Sequence, residues 1–315
     1  MSSPPRRILL TGGSGFVGAH LRTAFAAAYP GTAILAPAVD VRDAAAVATM
    51  VAAAAPEVCV HLAAVSAIGA AEREEDQAWQ VNLHGSLHLA RAILRHAPDC
   101  QLLFVSTADA YRGALVREDA IDEDTPLAPL GVYAATKAAA DLALGAMAGR
   151  GLRVVRARPS NHTGPGQSAD FVVPAFARQI ARIAAGMQAP VLEVGELDSW
   201  RDFLDVRDVC TGYIACIDRR DTLAPGTIFN FGSGEARRIG DVLDDLLALA
   251  GVAAAVRVDQ ARVRVGEVRQ VPSDAGRART RLGWAPAVPW ERTLQDVVED
   301  WRGRIAAERG ARSDP

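Results

Sequence analysis

Tyr133 and Lys137 are the residues whose types and spacing most directly suggest chemistry. They stand four positions apart, so a helix would place both side chains on one face. A nearby ammonium group favours the phenolate, and Tyr133 could then exchange a proton with a hydroxyl or carbonyl group at neutral pH. Because this spacing also arises by chance on surface helices, the prediction depends on the motifs that precede it.

Hydroxyl side chains end a buried-looking apolar run at 102–105, where Ser106 and Thr107 follow. Open parallel sheets bind ligands beyond the carboxyl ends of their strands. We therefore expect Thr107 to donate a hydrogen bond to a substrate oxygen while Tyr133 moves the proton. Local capping of the backbone is the alternative role for both hydroxyls.

Three glycines, Gly12, Gly15 and Gly18, come directly after the first apolar run and open a helical stretch. Small residues let the backbone approach a pyrophosphate, whose charge a helix N-terminus stabilises. A tight turn without a ligand is the alternative, but the order strand, loop, helix favours a bound dinucleotide.

A carboxylate for the adenine ribose usually follows such a loop by about 20 residues. Here the stretch 35–39 is apolar and the first carboxylate is Asp40. Asp40 could bind the ribose, or it could simply cap a helix that starts at Arg42. The expected cofactor is NAD(P)H, and the choice between NAD and NADP stays open.

The elements that must position these residues follow a repeating pattern. Strand-like runs at 8–10, 33–35, 58–62, 102–105 and 152–157 alternate with Ala-rich helical stretches at 17–29, 44–55, 78–96 and 133–149. This alternation predicts parallel crossovers and a sheet covered on both faces. Later stretches predict helices at 173–186, 205–217, 239–250 and 290–308, and strands at 191–194 and 227–231.

The pattern predicts an α/β fold: a Rossmann-type doubly wound parallel sheet with a smaller α/β substrate-binding region. The dinucleotide-binding domain would span residues 1–160, with a return around 205–232. The substrate-binding region would consist of residues 161–204 and 233–308, and residues 309–315 would form a tail.

Composition narrows the class of protein. Of 315 residues, 50% are hydrophobic and 23% charged, with a net charge of -3, so neither nucleic acid nor an anionic membrane is an expected partner. No signal peptide or membrane span is expected either. The cysteines, Cys59, Cys100, Cys210 and Cys216, lack metal-binding spacing, which favours reduced thiols, a cytoplasmic setting and no metal site.

Together these motifs resemble the extended short-chain dehydrogenase/reductases, the NAD-dependent epimerase/dehydratase family. The resemblance rests on the glycine loop, residues 61–64 and 82–85, Ser106 with Thr107, Tyr133 with Lys137, and residues 201–203. It implies catalytic roles for Thr107, Tyr133 and Lys137. It also implies cofactor contacts along the loop, at the adenine edge and beside the nicotinamide, from Phe16, Val17, Asp40, Val41, Leu62, Ala63, Ala64 and Asn82.

The stretch 156–167 is similar to the loop that opens the substrate half of sugar-nucleotide enzymes, which places Asn161 at the substrate and His162 at the nicotinamide. Residues 171–206 resemble GDP-4-keto-6-deoxymannose reductases and, less closely, GDP-mannose 4,6-dehydratases. The expected partner is thus a nucleotide-diphosphate sugar. Arginine forks suit diphosphate oxygens, so the expected phosphate and ribose contacts are Arg178, Arg201, Arg269 and Glu267. A solvated or ion-paired surface role is the alternative for all of them except Arg201, whose motif matches.

The type of reaction depends on Asp109. Dehydratases of this family have a Glu there, two residues before the tyrosine that is Tyr111 here, and it removes the C5 proton. Asp109 is one methylene shorter, which favours reduction of a GDP-4-keto-6-deoxyhexose, with a GDP-6-deoxyhexose such as GDP-D-rhamnose as product. Dehydration, 4-epimerisation and non-catalytic dinucleotide binding remain alternatives.

Two departures from the family pattern leave the local loop shape open: Arg112 stands where Gly usually follows the tyrosine, and Gly131 with Val132 stands where the reductases have Asn-Pro. The helices at 78–96 and 133–149 are expected to pair with their copies in a homodimer.

Overall fold

Six parallel strands form the central sheet of the computed structural model, which describes residues 2–114, 120–260 and 272–311. Their spatial order is β2-β1-β3-β4-β5-β9. The strands are β1 (Arg7–Thr11), β2 (Ala33–Leu35), β3 (Val58–His61), β4 (Gln101–Val105), β5 (Val154–Pro159) and β9 (Thr227–Phe231). The order reverses between β1 and β3, as in a doubly wound Rossmann-type sheet. The predicted fold class is confirmed.

Alternating side chains of these strands enter two different cores. Ile8 and Leu10 join the core on one face, and Leu9 joins the core on the other. Because successive side chains of a strand point to opposite faces, an apolar run of this length is buried on both sides.

Helices cover both faces of the sheet. One core contains side chains of α1 (Phe16–Ala28), α8 (Val206–Asp218) and α10 (Gly276–Leu282). The opposite core contains side chains of α2 (Ala44–Ala54), α5 (Ser86–His96) and α6 (Val132–Ala148). Their Ala-rich sequences let these helices lie close to the strands.

The predicted single helix over 78–96 is built from three consecutive pieces. These are α4 (Glu75–Trp79), a π-helical turn (Gln80–Gly85) and α5, and a separate short helix, α3 (Ile68–Arg73), precedes them. π-turns inside helices occur frequently at functional sites. This one contains Asn82, which is completely buried.

A third core lies outside the central sheet. Its helices are α7 (Val172–Ala184), α9 (Ile239–Ala250) and α11 (Trp290–Ala311), which bury Phe176, Leu243 and Leu294 together. Two small sheets accompany them, one of β6 (Asn161–Thr163), β8 (Trp200–Asp205) and β10 (Ala236–Arg238), the other of β7 (Val191–Val194) and β11 (Ala255–Val258).

Helix α2 corrects the capping alternative for Asp40. The N-cap is Asp43, whose carboxylate accepts hydrogen bonds from the backbone N–H groups of Ala45 and Ala46. Asp40 instead accepts from the backbone and guanidinium of Arg42 at the surface. The helix starts at Ala44, two residues after the predicted start at Arg42.

Within the described residues no helix has the length and apolarity that crossing a membrane requires. The four cysteines are buried free thiols.

Candidate active site

The predicted catalytic and cofactor-binding residues gather at the carboxyl ends of β1, β3, β4 and β5. Thr11 ends β1, His61 ends β3, and Thr107 follows β4 by two residues. Helix α6 carries Tyr133 and Lys137 along the same edge, because it packs against β5 and against the 3-10 turn (Ala108–Tyr111) after β4.

The glycine loop is shaped by contacts that exclude any side chain. A Cβ at Gly18 would lie 2.4 Å from the carbonyl oxygen of Gly12, and a Cβ at Gly12, whose φ is +70°, would lie 2.7 Å from the backbone nitrogen of Ala63. Helix α1 begins at Phe16 without a side-chain cap or an acidic residue in its first turn. Its N–H groups and positive dipole end are therefore suited to an anion.

A chain of buried hydrogen bonds starts beneath this loop. Thr11 Oγ1 lies 2.6 Å from Nδ1 of His61, and Nε2 of His61 lies 3.0 Å from Ser86 Oγ. Because Ser86 donates its own proton to the carbonyl of Asn82, His61 donates from Nε2 and accepts from Thr11 at Nδ1. Burial, with a smaller effect of the Lys137 charge, lowers the pKa of His61 to about 3, so the ring is neutral.

Asn82 extends this chain to helix α6. Its Nδ2 donates to Thr136 Oγ1 at 2.9 Å, and Thr136 donates to the carbonyl of Tyr133 at 2.8 Å. The side-chain amide of Asn82 also forms two hydrogen bonds with the backbone of Val65, accepting from its N–H and donating to its C=O. The stretch after β3, where Leu62, Ala63 and Ala64 lie, is thus fixed relative to helix α6.

The phenol of Tyr133 is held in its protonated form. Burial raises the pKa of Tyr133, the charge of Asp109 raises it further, and the Thr107 hydroxyl acts in the opposite direction. The sequence suggested a lowered pKa for this phenol, but burial and the Asp109 charge together raise it. A protonated phenol is suited to donate a proton rather than to accept one.

Lys137 is buried below Tyr133, with its Nζ 4.5 Å from the centre of the Phe104 ring. Burial lowers the pKa of Lys137 to about 8, against an opposing effect of the Asp141 charge. The ammonium group of Lys137 therefore begins to lose its proton only slightly above neutral pH.

Asp141, one turn after Lys137, binds two arginines of β5. Arg158 donates to both carboxylate oxygens, at 2.9 and 2.7 Å, and Arg156 donates to one of them at 2.9 Å. Burial raises the pKa of Asp141, but the hydrogen bonds and charges of the arginines outweigh it, so that the pKa is lowered. The ion pairs tie helix α6 to the sheet.

The same cluster reaches the last strand of the sheet. Arg158 donates to the hydroxyl of Tyr111, which in turn donates to Oδ1 of Asn230 on β9. The backbone N–H of Asn230 donates to Glu123 Oε1, and its side-chain amide donates to the carbonyl of Ile121. Sequence reasoning assigned no role to Asp141, although its position four residues after Lys137 was a usable signal.

Helix α6 lacks a capping side chain of its own, because its N-cap is Gly131 with φ +82°. Glu72 of helix α3 supplies the missing acceptor, and the backbone N–H of Val132 donates to Glu72 Oε1 at 2.9 Å. A Cβ at Gly131 would lie 2.7 Å from that oxygen. This contact resolves the loop shape that Gly131 and Val132 left open in the sequence.

Residues of the predicted substrate half reach the glycine loop. The ring of His162 stacks on Phe16 with centroids 6.3 Å apart, and its Nδ1 lies 3.0 Å from the carbonyl oxygen of Ser160. Asn161 pairs with Phe203 across β6 and β8, which places it beside Arg201 and Asp202 on that strand. Arg201 is nearly buried, and one of its N–H groups donates to the carbonyl of Trp200.

The remaining predicted site residues are dispersed. Val17 packs at the edge of the first core, and Val41 is buried where a Cβ on Gly85 would meet it. Arg178 is exposed on α7. Asp40 is exposed, and hydrogen bonds from Arg42 lower its pKa to about 2. Glu267 and Arg269 lie outside the described residues.

Comparisons with known proteins agree with this geometry. Residues 8–232 match the NAD dependent epimerase/dehydratase family. The chain is similar to GDP-6-deoxy-D-mannose reductase of Pseudomonas aeruginosa, with 34% identity over 306 residues that cover 96% of this chain and 99% of that protein. It is 29% identical to dTDP-glucose 4,6-dehydratase of Streptomyces niveus, over 95% of this chain and 94% of that protein.

The solved structures give the same picture. The structure of RMD from Pseudomonas aeruginosa complexed with NADPH superposes with a TM-score of 0.86 at 33% identity, covering 95% of this chain and 99% of that chain.

Proposed function

The chain belongs to the NAD dependent epimerase/dehydratase family, and on that basis we propose that it is a nucleotide-sugar 4-ketoreductase. Its substrate would be a GDP-4-keto-6-deoxyhexose, specifically GDP-4-keto-6-deoxy-D-mannose. Its product would be a GDP-6-deoxyhexose such as GDP-D-rhamnose. The 34% identity to GDP-6-deoxy-D-mannose reductase over nearly the whole of both chains carries this proposal.

The glycine loop fits a nicotinamide dinucleotide. Gly12 and Gly18 pack too closely against backbone atoms to accept a side chain, and Gly15 is the N-cap of α1. A loop of small residues at a helix N-terminus binds a pyrophosphate. We assign Phe16 and Val17 to the same loop, Ala63 and Ala64 to the opposite wall, and His162 to the nicotinamide side. When bound, NADH or NADPH would supply the hydride.

Tyr133 is proposed to complete the reduction by giving its phenolic proton to the C4 oxygen. The raised pKa of Tyr133 keeps that proton available, and Thr107 would donate a second hydrogen bond to the same oxygen. Lys137 would bind the nicotinamide ribose through its buried ammonium. One C–H bond and one O–H bond form, so the ketone becomes a hydroxyl group.

The substrate is proposed to lie between the sheet edge and the third core, in the region of residues 161–204 and 233–308. Asn161 and Arg201 on adjacent strands would bind the sugar nucleotide, and Arg178 would bind its diphosphate if the exposed side chain turns inward. The four buried thiols favour a cytoplasmic setting. We also propose a homodimer formed by α5 and α6.

The test is incubation of the purified protein with GDP-4-keto-6-deoxymannose and either NADH or NADPH. We expect cofactor oxidation and a product that gains two hydrogens, identified by mass spectrometry and NMR. Y133F should abolish turnover and leave dinucleotide binding nearly intact. Y29F is the matched control, since Tyr29 bonds to Asp218 far from the loop and should retain turnover.

Two further incubations separate the rival functions. A 4-keto product from GDP-mannose without added reductant would contradict a pure reductase and favour a dehydratase, for which Asp109 is the available base. Tight dinucleotide binding with no turnover of any nucleotide sugar would favour a non-catalytic protein instead. Retained turnover in Y133F would refute the role of the phenol.

A further inference from the structure

Asp109 and Arg112 face each other across one turn at the end of β4. The Nε of Arg112 lies 4.0 Å from Oδ1 of Asp109, and each side chain is only 11% exposed. The backbone supports the arrangement, because the N–H of Arg112 donates to the carbonyl of Asp109 and the N–H of Asp109 donates to Thr107 Oγ1. The pair is therefore built into the turn that carries Thr107.

The carboxylate of Asp109 belongs electrostatically to the proposed active site. It is close enough to Tyr133 for its charge to raise the pKa of the phenol. Among the described residues no hydrogen-bond donor to its oxygens is found, and the ion pair with Arg112 is the contact that restrains it. Without that pair, Asp109 would be a free base beside Thr107 and Tyr133, whose hydroxyls are proposed to bind the ketone oxygen.

Such a base is a hazard for the reaction proposed above. The C–H bonds on either side of a ketone are acidic, and their acidity increases when Tyr133 and Thr107 donate hydrogen bonds to the ketone oxygen. A carboxylate at this place could take one of these protons. The sugar would then enolise and could lose its configuration before the hydride arrives.

We propose that Arg112 is a specificity-determining residue: it pairs with Asp109 and so restricts the site to reduction, without removal of a proton next to the ketone. This inference rests on the proposed ketoreductase function. The guanidinium of Arg112 places a positive charge beside the carboxylate of Asp109, in a turn where both side chains are largely buried. The Gly that usually stands at the position of Arg112 in this family has no positive charge to pair with the carboxylate.

The suppressed step is a simple proton exchange. The carboxylate of Asp109 accepts the proton of the C–H bond, and the electron pair of that bond forms a C=C bond as the C=O electrons move to oxygen. In deuterated water the carboxyl group exchanges its proton with solvent. Return of a deuteron to the same carbon restores the ketone with one hydrogen replaced by deuterium.

The experiment measures deuterium at C3 and C5 of GDP-4-keto-6-deoxymannose, by NMR and mass spectrometry, with oxidised cofactor bound and no reductant. Wild type and R112K, which keeps the charge, should exchange no faster than the enzyme-free buffer. R112Q should accelerate exchange at least tenfold, and D109N/R112Q should return it to the background. R22Q on the exposed face of α1 is the matched control.

The outcomes distinguish this inference from the function beneath it. A parallel assay with reduced cofactor establishes whether each variant still reduces the ketone, and dinucleotide binding establishes that it is folded. Background exchange in a folded R112Q, or rapid exchange in wild type, overturns the role of Arg112 while the reductase stands. No reduction by wild type overturns the proposed function and this inference with it. R112G provides a second uncharged variant should R112Q not fold.

Discussion

The pKa values of Tyr133 and Lys137 separate in a way that the sequence did not predict. Burial raises the pKa of Tyr133, whereas it lowers the pKa of Lys137 to about 8. The phenol is then protonated across the physiological range, while the ammonium titrates just above it. In the proposed mechanism Tyr133 therefore donates the proton, and Lys137 should be the group that limits activity at high pH.

A pH profile tests this assignment. The charged form of Lys137 is present below its pKa and is lost as the pH rises through about 8. The kcat/KM for the reduced cofactor reports groups of the free enzyme, so it should be flat near neutrality and fall above pH 8. Cofactor oxidation from pH 6 to 10 gives the profile.

Arginine at the same position provides the control, because its charge persists at every pH of the profile. Whatever activity K137R retains should show no fall above pH 8. An unchanged alkaline limb in K137R would assign the titration to another group.

Helix α6 is the element on which the proposed chemistry depends, and three separate contacts fix it. Thr136 accepts a hydrogen bond from Asn82, Asp141 forms ion pairs with the arginines of β5, and Glu72 caps the first turn. Each contact comes from a different part of the chain. The helix is thereby fixed along its length, from the cap beside Tyr133 to the ion pair beyond Lys137.

The cap supplied by Glu72 makes a stability prediction. Loss of a helix cap costs about 1 kcal/mol, and a carboxylate near a helix N-terminus adds roughly 0.3–1 kcal/mol through the dipole. E72A should therefore lower the free energy of unfolding by about 1–2 kcal/mol, and E72Q, which keeps an acceptor, by less. Urea unfolding measures both.

Glu74 offers the comparison for this pair of variants. It lies on the same exposed segment, and its side chain caps neither adjoining helix. E74A should change the free energy of unfolding by less than about 0.5 kcal/mol. Equal losses in E72A and E74A would mean that the segment, and not the cap, is responsible.

Sequence periodicity was sufficient to predict the strands of the central sheet, but it was not sufficient to predict the segments that connect them. Apolar runs located β1 to β5 and β9, because a buried parallel strand must be apolar on both faces. The π-turn around Asn82 interrupts a pattern that reads as one helix. The cap from Glu72 joins residues 60 positions apart, and no local pattern encodes such a pairing.

The same division applies to the candidate site. Thr107, Tyr133 and Lys137 were found because their spacing is local or because they end a strand. His61, Asp141 and Arg158 act through tertiary contacts, so their motifs were visible but their roles were not. Asp40 shows the opposite case, a local motif whose carboxylate is used by its neighbour Arg42.

At the scale of the whole molecule, the proposed homodimer gives a measurable consequence. Leu142 on α6 is 59% exposed, and burying such a side chain against a second copy is favourable. L142E should shift the mass measured by light scattering from dimer toward monomer. L249E, at a partly exposed leucine of α9, should leave the dimer intact, and a wild-type monomer would contradict the proposal.

The position of β9 has a consequence for how the protein is made. This strand is hydrogen-bonded along β5, and its Asn230 holds Tyr111, yet it is synthesised only after α7, β6, β7, β8 and α8. While the ribosome is still adding those residues, β5 remains an edge strand open to wrong partners. Folding of the first half therefore waits for residue 231, and a chain that stops before it should be captured by chaperones or aggregate.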